Sequence, residues 1–274
     1  MDSPAYNPLQ LAELAENGRA RAFGFRFGDK GSHTSRTFMF AELEQVLGST
    51  RPDTRSDEYV VAIIDDNVAE KKTGATRRAT AQRLRELYAL DRSVPLFRVM
   101  RYLWDVDAGG RPLLALLCAM ARDPLLRASA PLVLAMQPGE ELARQELINS
   151  IREAAGHRLN EGVLDKVVRN VASTWTQSGH LQGRVRKLRR QVQPTPAVVV
   201  YALVMGNWLG LRGSRLFNTL WARSLDASFD QLVHLATDAK RLGLIDLKRA
   251  DDVVEVAFAP SITGIRTGSS NGTH

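Results

Sequence analysis

The chain has 274 residues, 44% of them hydrophobic and 24% charged, and carries a formal net charge of +7. That apolar content supports buried cores, in one large domain or a few small ones, and argues against a largely disordered chain. A single cysteine, Cys118, lies inside the apolar run Leu113–Met120, which excludes a disulfide framework and a cysteine-rich zinc site.

Met1 to Gly18 is polar and acidic with no hydrophobic signal core, so secretion is not expected and the reading is cytoplasmic. Gly24, Gly28 and Gly31 punctuate Phe23–Gly31, but no Gly-Lys-Ser/Thr follows, so this stretch reads as a flexible loop or short hairpin and not a phosphate loop. Phe38, Phe40, Leu43, Val46 and Leu47 predict a helix after Ser35 that ends near Gly48. Beyond a polar loop at Ser49–Ser56, Val60, Val61, Ile63, Ile64 and Val68 predict a second helix over Asp57–Glu70. Asp65, Asp66, Glu70, Lys71 and Lys72 loosely match the carboxylate-plus-lysine set of some metal-dependent nucleases, but such sites need a strand pair and a helix is the wrong geometry. Lys71–Thr76 predicts a tight turn, with Thr76 as N-cap of a third helix whose inner stripe is Leu84, Leu87 and Tyr88. Helix, short Gly-containing turn and polar-faced second helix match a helix-turn-helix.

Val94 to Met136 is apolar and helical, with breaks at Asp107–Pro112 and Asp123–Pro124, and reads as a central packing module. After the Pro138-Gly139 punctuation, Glu140–Ala155 is amphipathic, and Asn160 is placed to cap a further helix with inner positions Leu164, Val167, Val168, Val171 and Trp175. Its other faces carry Lys166, Arg169, Asn170, Ser173, Thr176 and Gln177, side chains that reach phosphates and base edges. Ser178-Gly179 stops it, and His180–Val192 is expected to form two short strands with a basic tip, the wing of a winged-helix unit. Ala197–Leu211 contains Asn207 and is shorter than the roughly 20 residues a membrane span needs, so it reads as a buried helix. Ser228–Leu242, then Leu244–Lys248, a turn at Arg249–Asp252 and Val253–Phe258, repeat the order of helix then hairpin. The tail from Gly264 is small and polar and is expected to be disordered. The expected fold is therefore mainly α: helix-turn-helix and tandem winged-helix-like units, with short β-hairpin wings, around a central helical module. Its expected units are 1–92, 93–193 and 194–262, with 263–274 as tail.

Charge is distributed unevenly over this frame. Between Asp165 and Asp226 there is no acidic residue, while Lys166, Arg169, Arg184, Arg186, Lys187, Arg189, Arg190, Arg212, Arg215 and Arg223 all fall there. A second acid-free window holds Lys71, Lys72, Arg77, Arg78, Arg83 and Arg85. Together the windows take 16 of the 37 basic residues, leaving 21 against 30 acids, so two cationic segments sit on a body of net charge −9. Such concentration is the electrostatic footprint of a polyphosphate partner. The candidate nucleic-acid contacts are Lys71, Lys72, Thr76, Arg77, Arg78, Arg85, Lys166, Arg169, Asn170, Ser173, Thr176, Gln177, Arg184, Arg186, Lys187, Arg189 and Arg190. The two basic surfaces are expected to converge on one continuous face.

The remaining chemistry-bearing residues read more plainly. His33, His157, His180, His234 and His274 have no metal-ligand spacing, and His180 reads as a surface histidine beside the wing. Trp104, Trp175, Trp208 and Trp221 fall on apolar helical positions and are expected in the core. No nucleophile–base–orienter pattern is present in the sequence, so no catalytic residue, metal or cofactor is expected.

The segments Thr76–Asp91 (TRRATAQRLRELYALD), Ala172–Arg190 (ASTWTQSGHLQGRVRKLRR) and Pro196–Ser228 (PAVVVYALVMGNWLGLRGSRLFNTLWARSLDAS) resemble the BrxA family, the small helical component of bacterial BREX phage-defence loci. The similarity runs from about Ser35 to Phe258, through helix and basic-wing patterns without a catalytic signature. It implies a helical, helix-turn-helix-containing protein that binds DNA without enzymatic activity, beside other defence proteins of its locus, a DNA methyltransferase among them, and the leading reading is an accessory protein that binds double-stranded DNA. A family likeness to an RNA-binding antitermination fold keeps RNA open as a ligand. Other readings are a scaffold docking acidic protein partners and a transcription regulator. An RNA binder needs exposed stacking aromatics, and Tyr88 and Trp175, the aromatics near the basic windows, point inward.

Overall fold

The computed structural model describes residues 18–28, 31–250 and 253–264. The expectations for the polar N-terminus before Gly18, for Asp251 and Asp252 in the second hairpin turn, and for the tail beyond Gly264 lie outside the described residues. Among the described residues the chain is mainly helical, with two small two-stranded antiparallel sheets. The helices of the first half are α1 (Arg19–Ala22), α2 (Phe40–Gly48), α3 (Ser56–Ile64), α4 (Gly74–Tyr88), α5 (Pro95–Val106), α6 (Arg111–Arg122), α7 (Pro124–Ala128) and α8 (Ala130–Ala135). The second half adds α9 (Arg144–Ala155), α10 (Glu161–Gln177), α11 (Pro196–Trp208), α12 (Leu220–Arg223), α13 (Phe229–Arg241) and α14 (Pro260–Thr263). Strands β1 (Leu181–Gln182) and β2 (Leu188–Arg189) form one hairpin, and β3 (Ile245–Ala250) and β4 (Val253–Phe258) the other.

Helix α11 is the hub. Eleven of its 13 residues are buried, and it packs against α5, α6, α12 and α13. Its all-round apolarity is what a helix enclosed on every side requires. Trp104, Trp175, Trp208, Trp221 and Cys118 are buried as expected. The buried apolar residues from Ala20 to Ile262 join in one cluster that runs through the expected unit boundaries at 92 and 193.

Three local expectations give way to hydrogen bonding. Helix α3 stops at Ile64 because Asn67 and Glu70 turn to positive φ (55° and 51°) and the Asn67 side chain accepts from the Lys71 amide at 2.8 Å. Asp65–Lys72 is therefore neither helix nor the strand pair a metal nuclease would need. The N-cap of α4 is Thr73, not Thr76: the Thr73 hydroxyl oxygen accepts from the Thr76 amide at 3.2 Å. Glu140–Leu142 is an edge of the first hairpin and not a helix start. Arg189 donates its amide to Glu140 O at 2.8 Å, and Leu142 donates to Lys187 O at 2.8 Å.

The segment after α1 is pinned and not a free loop over its described part. Phe25 is buried against Trp221 (ring centroids 5.7 Å apart), and the Arg26 amide donates to Ala121 O at 3.0 Å. A buried polar knot ties the Ser32–Thr34 turn to α7 and α10. His33 Nδ1 lies 2.8 Å from Asp123, and Nε2 lies 2.8 Å from the Thr174 hydroxyl, which also accepts from the Phe38 amide at 3.0 Å. The Asp123 carboxylate caps α7 through the Leu125 and Leu126 amides, and Gly31 packs so close to it that a Cβ would overlap its oxygens. Asp, His and Thr here have the order of a catalytic triad, but all three are buried and the threonine oxygen is committed, so the knot is structural.

Candidate nucleic-acid interface

Helix α10 begins where the Asn160 side chain accepts from the Val163 amide at 2.9 Å. Leu164, Val167, Val168, Val171 and Trp175 face the core, and Lys166, Arg169 and Gln177 face outward with Ser173 half-buried between them. This stripe follows from the 3.6-residue period. The β1–β2 hairpin folds back beside it, with Leu181 opposite Arg189 and Gln182 opposite Leu188. Gly183, at φ 110°, makes the turn possible, since a Cβ there would overlap the Arg186 carbonyl oxygen. Arg184, Val185 and Arg186 form the exposed tip, and Val185 is 91% exposed.

Between the outer stripe of α10, the hairpin tip and the start of α9 lies a cleft of about 830 Å³. Arg144, Arg169, Arg184 and Lys187 line it together with Ser173, Thr176 and Gln177, and Glu141 is its one acidic lining residue. Arg184 and Lys166 have no carboxylate within ion-pair distance among the described residues. Other cations are held by the chain's own acids. Arg186 pairs with Glu141 at 2.7 Å, a contact that raises its pKa, and Arg169 pairs with Asp165 at 3.0 Å while Arg144 also reaches Asp165. These pairs are exposed, so they are weak and exchangeable for phosphate. Lys187 donates to the Thr176 hydroxyl at 2.9 Å, and its partial burial lowers its pKa.

Several expected contacts are turned inward. Arg189 is 4% exposed; its guanidinium pairs with Asp226 and donates to the carbonyls of Val133 (2.9 Å), His180 (3.3 Å) and Arg190. It alternates with the exposed Leu188 on a strand whose inner side faces Val133 of α8 and the Asp226 turn, so the period-2 pleat places it inside. Asn170 donates to His33 O at 2.8 Å and Thr176 to Ala172 O at 2.9 Å, so both hold structure together. His180 is fully buried, not on the surface: it bonds Ser178 and the Ser224 carbonyl, and burial, opposed by Asp226, pushes its pKa down to about 4. Arg190 remains exposed.

In the other window, Lys71 pairs with Glu42 at 2.9 Å and Arg77 turns back to donate to Ile64 O at 3.1 Å and Lys71 O at 3.3 Å. Thr76 hydrogen-bonds Thr73 inside the first turn of α4. Lys72, Arg78 and Arg85 stay exposed without a carboxylate partner among the described residues. Both windows flank the Ser32–Thr34 turn, and they open into two recesses with no lining residue in common. The sequence reading missed Arg144, Arg26 and Arg122, which sit outside the acid-free windows and meet them only in space. Tyr88 and Trp175 are fully buried, as expected.

Compared with models of known protein families and with curated proteins, the chain matches none. No helix among the described residues is long and apolar enough to cross a membrane.

Proposed function

We propose that this chain is a non-enzymatic protein that binds double-stranded DNA through the α10–hairpin cleft. The observation that carries the reading is the cleft itself, where Arg169, Ser173 and Gln177 of α10 line one groove with Arg184 and Lys187 of the hairpin. Helix followed by hairpin is the order of a winged-helix unit, with α10 as the groove-reading element and Arg184–Lys187 on the flanking backbone. In this reading α13 with β3–β4 is a second such unit, and α3 with α4 a helix-turn-helix. Phosphate contacts come from Lys166, Arg169, Arg184, Arg186 and Lys187, while Ser173 and Gln177 face the bases. The BrxA resemblance extends this to an accessory role in a bacterial BREX-type defence system, in the cytoplasm, beside other proteins of the locus such as a DNA methyltransferase.

The test is a mobility-shift series with one duplex, its single strands and the matching RNA at two salt concentrations. Duplex retention at low salt that collapses as salt rises is expected. Preference for RNA, or no shift with any of them, overturns the reading. The ion pairs Arg186–Glu141 and Arg169–Asp165 favour a second reading, an assembly subunit whose basic faces dock acidic proteins. Co-purification with locus partners in the absence of any duplex shift selects it.

A further inference from the structure

The second recess, beside α4, has a chemistry of its own. It encloses about 470 Å³ between α3, α4 and the segments around Arg26 and Val94. Arg26, Arg78 and Arg85 line it, all exposed and none with a carboxylate within ion-pair distance among the described residues. Arg122 contributes a fourth guanidinium and is only 7% exposed. Its nitrogens donate to three neutral carbonyls, of Glu86 (3.0 Å), Gly24 (2.8 Å) and Arg85 (3.2 Å), and to no acid. A buried cation without a counter-charge is costly. Burial, with Arg26 second, lowers the Arg122 pKa to about 10, which still leaves it charged at neutral pH.

The two acids in the lining are occupied elsewhere. Glu86 accepts from Arg83 (2.6 Å), Ser32 (2.9 Å) and Gln82 (3.0 Å), and Asp91 accepts from the Ser93 amide at 2.8 Å. Val60, Ile64 and Val94 supply the apolar part of the lining. We propose that this recess is a binding site for a nucleoside phosphate, with Arg26, Arg78, Arg85 and Arg122 around the phosphate and the apolar lining against the base. Planar guanidinium forks suit phosphate oxygens, and four arginines border this one recess. The site stands independently of the α10 cleft.

Calorimetry on the full chain with AMP, adenosine and inorganic phosphate tests it. AMP is expected to saturate one site per chain, with adenosine and inorganic phosphate each at least about tenfold weaker. The double substitution Arg78→Ala/Arg85→Ala, both on exposed positions, is expected to weaken AMP at least about tenfold with an unchanged thermal midpoint. Arg184→Ala is expected to leave AMP binding as it was. Absence of saturable AMP binding, AMP no tighter than phosphate, or full affinity in the double variant overturns the proposal.

Discussion

Arg189 separates a phosphate contact from a structural cation by experiment. Its guanidinium sits at 4% exposure between Asp226, itself 9% exposed, and the carbonyls of Val133, His180 and Arg190. Arg189→Ala removes that charge and leaves the Asp226 carboxylate nearly buried, with the Val192 amide (3.1 Å) as a remaining partner. Loss of one member of a buried ion pair costs about 3–5 kcal/mol, because the other charge stays desolvated. Urea unfolding at neutral pH should show that loss as a lower midpoint. Arg189→Met with Asp226→Asn removes both charges and should recover roughly half of it or more; asparagine suits the positive φ of 53° at that position. Duplex affinity of folded Arg189→Ala should keep the parent's salt dependence. The reasoning is refuted by a variant of parental stability whose log–log salt slope flattens by about one unit, since that is the signature of a lost phosphate contact.

Acid should unfold the protein partly through His180. Its folded pKa near 4 lies below the ordinary 6.5, so between those values the unfolded chain takes up a proton that the folded chain refuses. Stability is then full above about pH 6.5 and falls as pH drops toward 4, by about 2 kcal/mol between pH 7 and 5. His180→Asn should flatten that limb, and an imidazole found by NMR to titrate near its ordinary value in the folded state would contradict it. Gly183→Ala places a Cβ against the Arg186 carbonyl at φ 110° and should destabilise the hairpin tip by about 1–3 kcal/mol. Hydrogen exchange should quicken at the β1 and β2 amides while α11 keeps its protection; unchanged exchange at the hairpin rejects the strain argument.

Long apolar periods were legible in the chain: α10, α11 and the breaks before α6 and α7 follow directly from spacing, caps and prolines. Both hairpins were legible too, from short apolar runs beside Gly. What was not legible depends on partners distant in sequence. Asp226 closes the acid-free window, and folding brings it onto Arg189 in strand β2, so a charge run on paper is partly an ion pair inside the molecule. Glu141 reaches Arg186 because Glu140–Leu142 adds an edge to the hairpin, which helical amphipathicity does not reveal. Arg122 lies in an almost wholly apolar helix, and only the fold shows that its end opens into a recess with Arg26.

The central claim is that the α10–hairpin cleft grips DNA phosphates. Its most direct measurement is the salt dependence of duplex affinity for Lys166→Ala/Arg184→Ala/Arg186→Ala/Lys187→Ala against the parent chain. At about −0.9 per phosphate contact, the log–log slope should flatten by about 3 to 4 units and affinity should fall on every duplex sequence, with the thermal midpoint held. A folded variant with the parent's affinity and slope would place the DNA elsewhere, or nowhere, on this protein.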